Sequence, residues 1–310
     1  MKTVNRSRNN NKRKTTLRRA AMAGAVLLLL VACAAVIFKV RPGWKFIIKD
    51  YFQRRSEKSR CETVSAESVS VTEEELLALA QRDRVQVIFD RSMLLINADH
   101  LLAGGSGADT DPAPDIAFYR DTDVLMNTCI MDPYASLAAA VKERTGEPLY
   151  VRSAYRSAEE QEEESEQSGD RAQAVGASEH QAGLALDVYV PYYAGSGFIK
   201  CPAGQFVNAE CWRYGFIIRY PYFGKAETGI GYEPWHIRYV GVPHAELMYR
   251  NSWTLEKYLE ILPADGYLRF GEYLITRQSG DTFSIPASYT SAVISPDNCG
   301  GYVMTFRCGS

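Results

Sequence analysis

The sequence has 310 residues, of which 46% are hydrophobic, 11% aromatic and 23% charged, which excludes global disorder and suits one large or two modest globular domains. Only 23 residues are glycine and no short repeat is present, so collagen-like and coiled-coil architectures are excluded. Residues 1–41 carry ten basic and no acidic side chains, and the remaining 25 basic and 37 acidic residues give a net charge of −12 that argues against nucleic acid as a partner.

The N-terminal region has the pattern of a membrane anchor. Residues 20–38 contain no charged side chain and span roughly 28 Å as a helix, enough to cross a bilayer core. The basic flank predicts a cytoplasmic tail at 1–19, a single transmembrane anchor at 20–40 and an extracytoplasmic remainder. A cleaved lipoprotein signal is the alternative, since Leu30-Val31-Ala32-Cys33 resembles a cleavage box, but the apolar run continues past Cys33.

Residues 41–84 are predicted to form a polar stalk that ends in a helix. Thr72 and Glu75 have the spacing of a capping box at the start of that helix. The main domain is predicted at 85–250. Its predicted elements, in chain order, are a strand ending at 94–97, a helix at 134–144, a strand at 149–151, an exposed helix or lid at 158–174, and strands at 217–218 and 237–240.

The C-terminal segment, residues 251–310, is predicted to be a β-rich appendage. Short β-prone runs at 267–270, 273–275 and 302–306 alternate with Gly, Asp, Ser and Pro. Helical and β-prone segments follow each other in mixed rather than alternating order. The predicted fold class is therefore α+β, with a small mixed or antiparallel sheet, helices and this appendage.

Six cysteines lie outside the predicted anchor, an even number that is compatible with disulfides in an oxidising compartment. Six cysteines allow 15 pairings, of which Cys201–Cys211 and Cys299–Cys308 are preferred because each closes a short loop or hairpin. No CxxC motif is present, which argues against a structural zinc site built from cysteines.

His180 and Asp187 are the first candidate pair for a metal site. Gly183 can turn the chain between them, after which alternate residues of a strand face opposite sides. Asp187 would then point away from the core beside the small side chain of Ala185. A loop histidine and a strand carboxylate could meet in this way, although a lone histidine is more often structural.

His236 adds a second imidazole in the motif Glu233-Pro234-Trp235-His236. Pro234 disfavours the continuous helix of HExxH proteases, so a bent segment is predicted. Two histidines and one carboxylate are a standard set of three zinc ligands with an open fourth position. Glu233, three residues before His236, is the natural general base, although an ExxH pair also arises by chance. The other two histidines, His100 and His244, have no such partners and are predicted to be structural.

Four sequence blocks strengthen this interpretation. They are SAYRS at 153–157, the SxHxxGxAxD pattern at 178–187, YGFIIRYP at 214–221 and YEPWHIRYVG at 232–241. In order and spacing they resemble the VanY-type D-alanyl-D-alanine carboxypeptidases, zinc peptidases of the bacterial cell wall, over about residues 92–245. The anchor, the stalk and the C-terminal segment lie outside this resemblance.

The resemblance implies a role for each matching side chain. His180, Asp187 and His236 would bind one zinc ion, and Glu233 would be the general base. Arg156 would hold the substrate or stabilise the oxyanion, for which a guanidinium is well suited. The expected contacts with the peptide or walls of its pocket are Gln161, Ser178, Tyr220, Tyr232 and Trp235. Arg152 is a rival cation for which we favour a surface ion pair.

The expected function is that of a membrane-anchored zinc carboxypeptidase that removes the terminal D-alanine from peptidoglycan stem peptides or their lipid-linked precursors. Such trimming would diminish both crosslinking and the target of glycopeptide antibiotics. The alternatives are an L,D-carboxypeptidase that acts on tetrapeptide stems and a non-catalytic, zinc-containing module that binds the wall. Glu233 argues against the last alternative, since binding needs no general base. The C-terminal segment could attach to the wall or pack against the catalytic domain.

Overall fold

The structure, a computed structural model, describes residues 42–81, 85–102, 110–112, 124–168 and 173–309. The chain divides into two units, Met1–Asp50 and Tyr51–Ser310. No helix in the described ranges is long and apolar enough to cross a membrane. The predicted tail at 1–19 and the predicted anchor at 20–40 lie outside those ranges and stay predictions.

The helices confirm most of the predicted helical segments. They are α1 (Pro42–Ser56), α2 (Glu73–Leu77), α3 (Thr128–Thr145), α4 (Ala158–Ser168), α5 (Pro202–Glu210), α6 (Lys225–Thr228), α7 (His244–Asn251) and α8 (Leu255–Ile261). The predicted capping box is present at α2, where the Thr72 hydroxyl accepts from the backbone N of Glu75 and the Glu75 carboxylate accepts from the backbone N of Thr72.

The strands are β1 (Glu62–Val64), β2 (Ser68–Thr72), β3 (Gln86–Phe89), β4 (Thr110–Pro112), β5 (Leu125–Asn127), β6 (Tyr150–Ser153), β7 (Ala185–Tyr189), β8 (Phe216–Ile218), β9 (His236–Tyr239), β10 (Tyr267–Phe270), β11 (Tyr273–Ser279), β12 (Thr282–Pro286), β13 (Ser291–Pro296) and β14 (Gly301–Arg307). The predicted strand end at 94–97 is wrong, since β3 ends at Phe89. The carbonyls of Ser92 and Leu94 instead accept from the Arg238 guanidinium, which fixes this segment as a buried loop.

The candidate site is supported by a four-stranded antiparallel sheet in the order β6-β7-β9-β8. Leu184, Leu186 and Val188 alternate toward a buried core that also contains residues of α3 and α5. Asp187 therefore lies on the opposite face of β7, as the alternation predicts. The observed combination of helices with separate sheets is an α+β fold.

The C-terminal strands do not form a sheet by themselves. The larger sheet has the order β1-β10-β11-β14-β13-β3, so two of its six strands come from residues 62–89. The second strand of the predicted stalk, β2, pairs with β12. Part of the segment predicted as a stalk is thus built into the C-terminal β structure. Its strands β1 and β2 form the hydrogen bonds of β10 and β12 that the C-terminal strands leave open.

The helix α1 has an unusual distribution of side chains. Its large exposed apolar residues are Trp44, Ile48, Tyr51 and Phe52. Arg54 is buried instead, and its Nη1 donates to the carbonyl oxygen of Tyr249 at 3.0 Å. The guanidinium also lies 3.8 Å from the centre of the Tyr249 ring, a cation–π contact.

The two preferred disulfides are wrong, since all six cysteines in the described ranges are free thiols. Cys201 and Cys211 flank the nine-residue helix α5, which holds their Cα atoms roughly 15 Å apart. Cys299 and Cys308 flank the seven-residue strand β14, which separates them by more than about 20 Å. A disulfide requires Cα atoms within about 7 Å.

Candidate active site

One open pocket brings together nine of the ten residues predicted for the site or its walls. It is lined by Arg156, Gln161, Ser178, His180, Asp187, Tyr220, Glu233, Trp235 and His236. Glu164, Gln173, Gly229 and Ile230 complete the lining. Tyr232, a further candidate wall residue, is not among these residues, since it packs against the core and its hydroxyl donates to Asn208 Oδ1 at 2.9 Å.

The three candidate metal ligands are assembled by local folding and strand pairing. His180 lies in a short 3-10 turn that ends at Gly183, whose φ of 66° is in the left-handed region that glycine tolerates. A Cβ at Gly183 would lie 3.2 Å from the backbone N of Asn127, so this close approach also favours glycine. Asp187 on β7 and His236 on β9 then face each other in the antiparallel register.

The ligand atoms of this trio lie within 4.8 Å of one another. Asp187 Oδ1 is 3.0 Å from His236 Nδ1 and 3.7 Å from His180 Nε2. Ligands at zinc–nitrogen and zinc–oxygen bond lengths in a tetrahedron are separated by roughly 3.4 Å, a value between these two distances. The residue types and their spacing therefore fit a zinc ion.

The charges of the site are strongly coupled. Burial alone would raise the pKa of Asp187, but His180 and His236 outweigh it and hold this pKa well below its usual range. Burial lowers the pKa of His236, but hydrogen bonding and attraction from Asp187 and Glu179 raise it to about 9 in the absence of a metal ion. The site thus keeps a carboxylate ionised, which is the state that a cation binds.

Glu233 lies at the edge of the same trio. Its backbone carbonyl accepts from the backbone N of His236 at 3.2 Å, which forms the bend predicted at Pro234. Burial raises the pKa of its carboxyl group, the nearby His236 lowers it and Asp187 raises it further, with a net increase. A raised carboxyl pKa is suited to a group that both takes up and returns a proton.

Arg156 is held in a defined position beside the trio. Its Nη1 donates to Gln161 Oε1 and its Nη2 to Ser153 Oγ, each at 3.0 Å. Gln161 is buried and its Nε2 donates to the carbonyl of Gln173 at 2.6 Å. Gln161 thus orients Arg156, in addition to lining the pocket.

The other predicted residues have distinct surroundings. Ser178 is buried at the pocket, and Tyr220 accepts from Gln173 Nε2 at 2.8 Å, with its ring 5.1 Å from that of His236. Burial raises the pKa of Tyr220, so its hydroxyl stays protonated at neutral pH. Arg152 is exposed on β6 and does not line the pocket.

The residues that sequence reasoning missed form a buried charged network behind His236. Glu179 Oε1 accepts from Arg219 Nε and from Arg238 Nη1, each at 2.7 Å, and all three side chains are fully buried. Arg219 also forms a bidentate pair with Glu256. The sequence did contain a signal for this network. Arg219 directly follows the apolar strand FII, and Arg238 lies within the strand HIRY, and a charge at such a position needs a buried partner.

The chain is similar to a known family of peptidases. The sequence profile of the VanY family, D-alanyl-D-alanine carboxypeptidase, matches residues 123–242. A D-alanyl-D-alanine carboxypeptidase from Enterococcus faecium is 32% identical over 203 residues, which are 61% of this chain. The chain covers 64% of the length of that relative, slightly less than two thirds.

Two solved structures are also similar. The LD-carboxypeptidase LdcB, whose structure is described as revealing the basis of peptidoglycan recognition, is 30% identical, with a TM-score of 0.50 over 58% of this chain and 91% of that one. The D,D-dipeptidase VanXYg is 23% identical, with a TM-score of 0.60 over 80% of this chain and 100% of that one, and shows the shared fold. Together, the profile and these relatives show that the chain belongs to the VanY family of D-alanyl-D-alanine carboxypeptidases.

Proposed function

We propose that the protein is a zinc-dependent D-alanyl-D-alanine carboxypeptidase that removes the terminal D-alanine from peptidoglycan stem peptides or their precursors. The observation that carries this proposal is the convergence of His180, Asp187 and His236 with Glu233 and Arg156 in one open pocket. Family membership supports the same reaction class.

In this proposal the three metal ligands, Glu233 and Arg156 have separate tasks. His180, Asp187 and His236 hold the zinc ion, which when bound supplies Lewis acidity for an amide carbonyl. Glu233 takes the proton from the attacking water and returns it to the departing amino group of D-alanine. Arg156 pairs with the terminal carboxylate or with the oxyanion that develops next to it, since both lie close to the scissile bond.

The second candidate reaction is L,D-carboxypeptidase activity on tetrapeptide stems. LdcB, an LD-carboxypeptidase, is 30% identical and the chain covers 91% of it. The two reactions need the same metal ligands and general base, so the difference lies in the recognition of the penultimate residue. A non-catalytic wall-binding module is less well supported, since Glu233 lies in the pocket with a raised pKa.

We also propose that the protein is a single-pass protein of the bacterial membrane, with its catalytic domain outside the cell and its N-terminus in the cytoplasm. The charge-free run at 20–38 and its basic flank support this topology. The exposed residues Trp44 and Tyr51 of α1 also support it, since Trp and Tyr side chains are favoured at membrane interfaces. This position would bring the pocket close to lipid-linked precursors and nascent wall.

Mass spectrometry of two muropeptide substrates tests the catalytic proposal. The zinc-loaded full chain in detergent is incubated with a pentapeptide stem and, separately, with a tetrapeptide stem. Loss of one alanine from the pentapeptide alone supports D,D-carboxypeptidase activity, whereas loss from the tetrapeptide moves the assignment to L,D. A chelator and the Glu233→Ala variant should each prevent the loss. No loss from either substrate, with zinc bound, would contradict the proposal and favour a binding role.

A further inference from the structure

We infer that Glu179 is a positioning residue, which fixes the tautomer of His236 so that Nδ1 presents its lone pair to the metal. This inference rests on the zinc site of the proposed function but not on the identity of the substrate. Glu179 is not itself a candidate ligand, since the ligand trio consists of His180, Asp187 and His236.

The carboxylate of Glu179 is firmly held. Its Oε1 accepts from Arg219 Nε and from Arg238 Nη1, each at 2.7 Å, and all three side chains are fully buried. Arg219 is in turn held by Glu256 at 2.6 and 2.9 Å. Arg238 donates to backbone carbonyls at Ser92 and Leu94. Glu179 therefore cannot turn away from His236 without breaking its two buried hydrogen bonds to the arginines.

The second oxygen of Glu179 faces His236. Oε2 is 3.6 Å from His236 Nε2, and both atoms are buried and have no hydrogen-bond partner among the described residues. A proton on Nε2 places a donor opposite the carboxylate, whereas a lone pair there would face a negative charge. In a neutral imidazole the proton on Nε2 leaves Nδ1 free, and Nδ1 is the nitrogen that lies 3.0 Å from Asp187 Oδ1.

The tautomer of His180 is fixed by a different kind of partner. Its Nδ1 lies 2.8 Å from the carbonyl oxygen of Ala154, which can only accept, so its Nε2 is free on the side of Asp187. A backbone carbonyl thus orients one histidine, and a side chain orients the other. Partners of this kind fix ring orientation and tautomer at metal sites, and their loss typically costs 10–100-fold in metal affinity.

A purely structural role is the alternative, in which Glu179 only neutralises the two buried arginines. Glu179→Gln separates the two roles. The amide oxygen can still accept from Arg219 and Arg238, but the amide NH2 then faces Nε2 of His236. A donor at that position favours the reversed tautomer, with the proton on Nδ1, where it blocks the metal.

The experiment measures zinc affinity by competition with a chelator in the full chain in detergent, without substrate. We expect Glu179→Gln to weaken zinc binding by about 10–100-fold. Glu256→Gln is the matched control, because its amide oxygen can still accept from Arg219 and the lost charge does not face His236. It should change affinity by less than about threefold. Equal effects of the two variants, or unchanged affinity in Glu179→Gln, would overturn the inference.

A second measurement needs no variant. Nitrogen-15 NMR of histidine side chains in the zinc-loaded wild-type protein should show the remaining N–H on Nε2 of His236 and on Nδ1 of His180. A proton on Nδ1 of His236 would overturn the inference even if the Glu179→Gln protein does not fold. A wild-type protein that binds zinc as expected but cleaves neither muropeptide would contradict the proposed function and leave this inference standing.

Discussion

Asp187 and His236 occupy opposed positions on the paired strands β7 and β9, and 49 residues of sequence separate them. Their side chains leave the same face of the sheet, so Asp187 Oδ1 reaches Nδ1 of His236 at 3.0 Å. Strand register therefore places two of the three candidate ligands. A shift of one residue in this register would turn one of them toward the core.

The first prediction concerns Glu233. Glu233→Gln keeps the size of the side chain but removes its ability to accept a proton, so turnover of the muropeptide should fall by about 10²–10⁴-fold while bound zinc stays stoichiometric. Activity and metal content are measured on the same preparation. Glu210→Gln, which removes a surface partner of Arg213, is the control and should keep full activity. Full turnover by Glu233→Gln would refute the assigned base.

The second prediction compares two arginines near the end of the same strand. Arg156→Lys removes the planar guanidinium that bonds Gln161 and Ser153, and we expect kcat/KM to fall by about 10²-fold. Arg152→Lys changes an exposed side chain outside the pocket and should alter kcat/KM by less than about twofold. If Arg152→Lys were the more damaging change, the roles of the two residues would have to be exchanged.

The third prediction is a loss of stability at acidic pH caused by His244. This residue is buried, and its Nδ1 and Nε2 lie 2.8 Å from the Tyr258 hydroxyl and 3.0 Å from the Thr305 hydroxyl. Burial lowers the pKa of His244 to about 3. Since the unfolded chain has a histidine pKa of about 6.5, the unfolded state binds the extra proton between these two values.

The free energy of unfolding should therefore decrease as the pH falls below about 6.5, by about 2 kcal/mol at pH 5, and the decrease should end near pH 3. Urea titrations at several pH values measure it. Glutamine cannot titrate, so in His244→Gln the decrease in the free energy of unfolding at pH 5 should be smaller by about 2 kcal/mol. Parallel pH curves for the two proteins would show that His244 is not responsible, whatever the difference in their absolute stability.

The fourth prediction concerns the N-terminal region. If the run at 20–38 is a retained anchor, the protein in the membrane fraction has the mass of the full chain, 34.6 kDa. Processing as a lipoprotein would instead leave Cys33 as the first residue. Intact-mass measurement separates the two outcomes, and a detergent-free soluble protein of full mass would contradict both.

The sequence was sufficient to predict that His180, Asp187, His236 and Glu233 meet in one pocket, because each of them lies in a short motif. Spacing along one strand predicted that Asp187 faces away from the core, and Pro234 predicted the bend before His236. The α+β class was also confirmed, as were most of the elements that local patterns predicted, although many of the observed helices and strands had not been predicted. Local patterns reflect turn and strand preferences that do not depend on distant residues.

The errors concern features that depend on distant parts of the chain. The pairing of β1 with β10 and of β2 with β12 is invisible to local propensity, so residues 62–72 were assigned to a stalk. The arginine network around Glu179 was missed for the same reason, since Glu179, Arg219, Arg238 and Glu256 come from four separated segments. The preferred disulfides failed because closeness in sequence was taken for closeness in space across α5 and β14.

The pairing of early with late strands has a consequence for biosynthesis. Ser68 and Tyr267, whose hydroxyls are 3.0 Å apart, are separated by 199 residues of chain. At a translation rate of about 5–20 residues per second, β2 emerges roughly 10–40 seconds before its neighbours exist. A premature stop codon shortly before residue 267 would therefore leave the first strands without partners, although every residue of the pocket would already have been made.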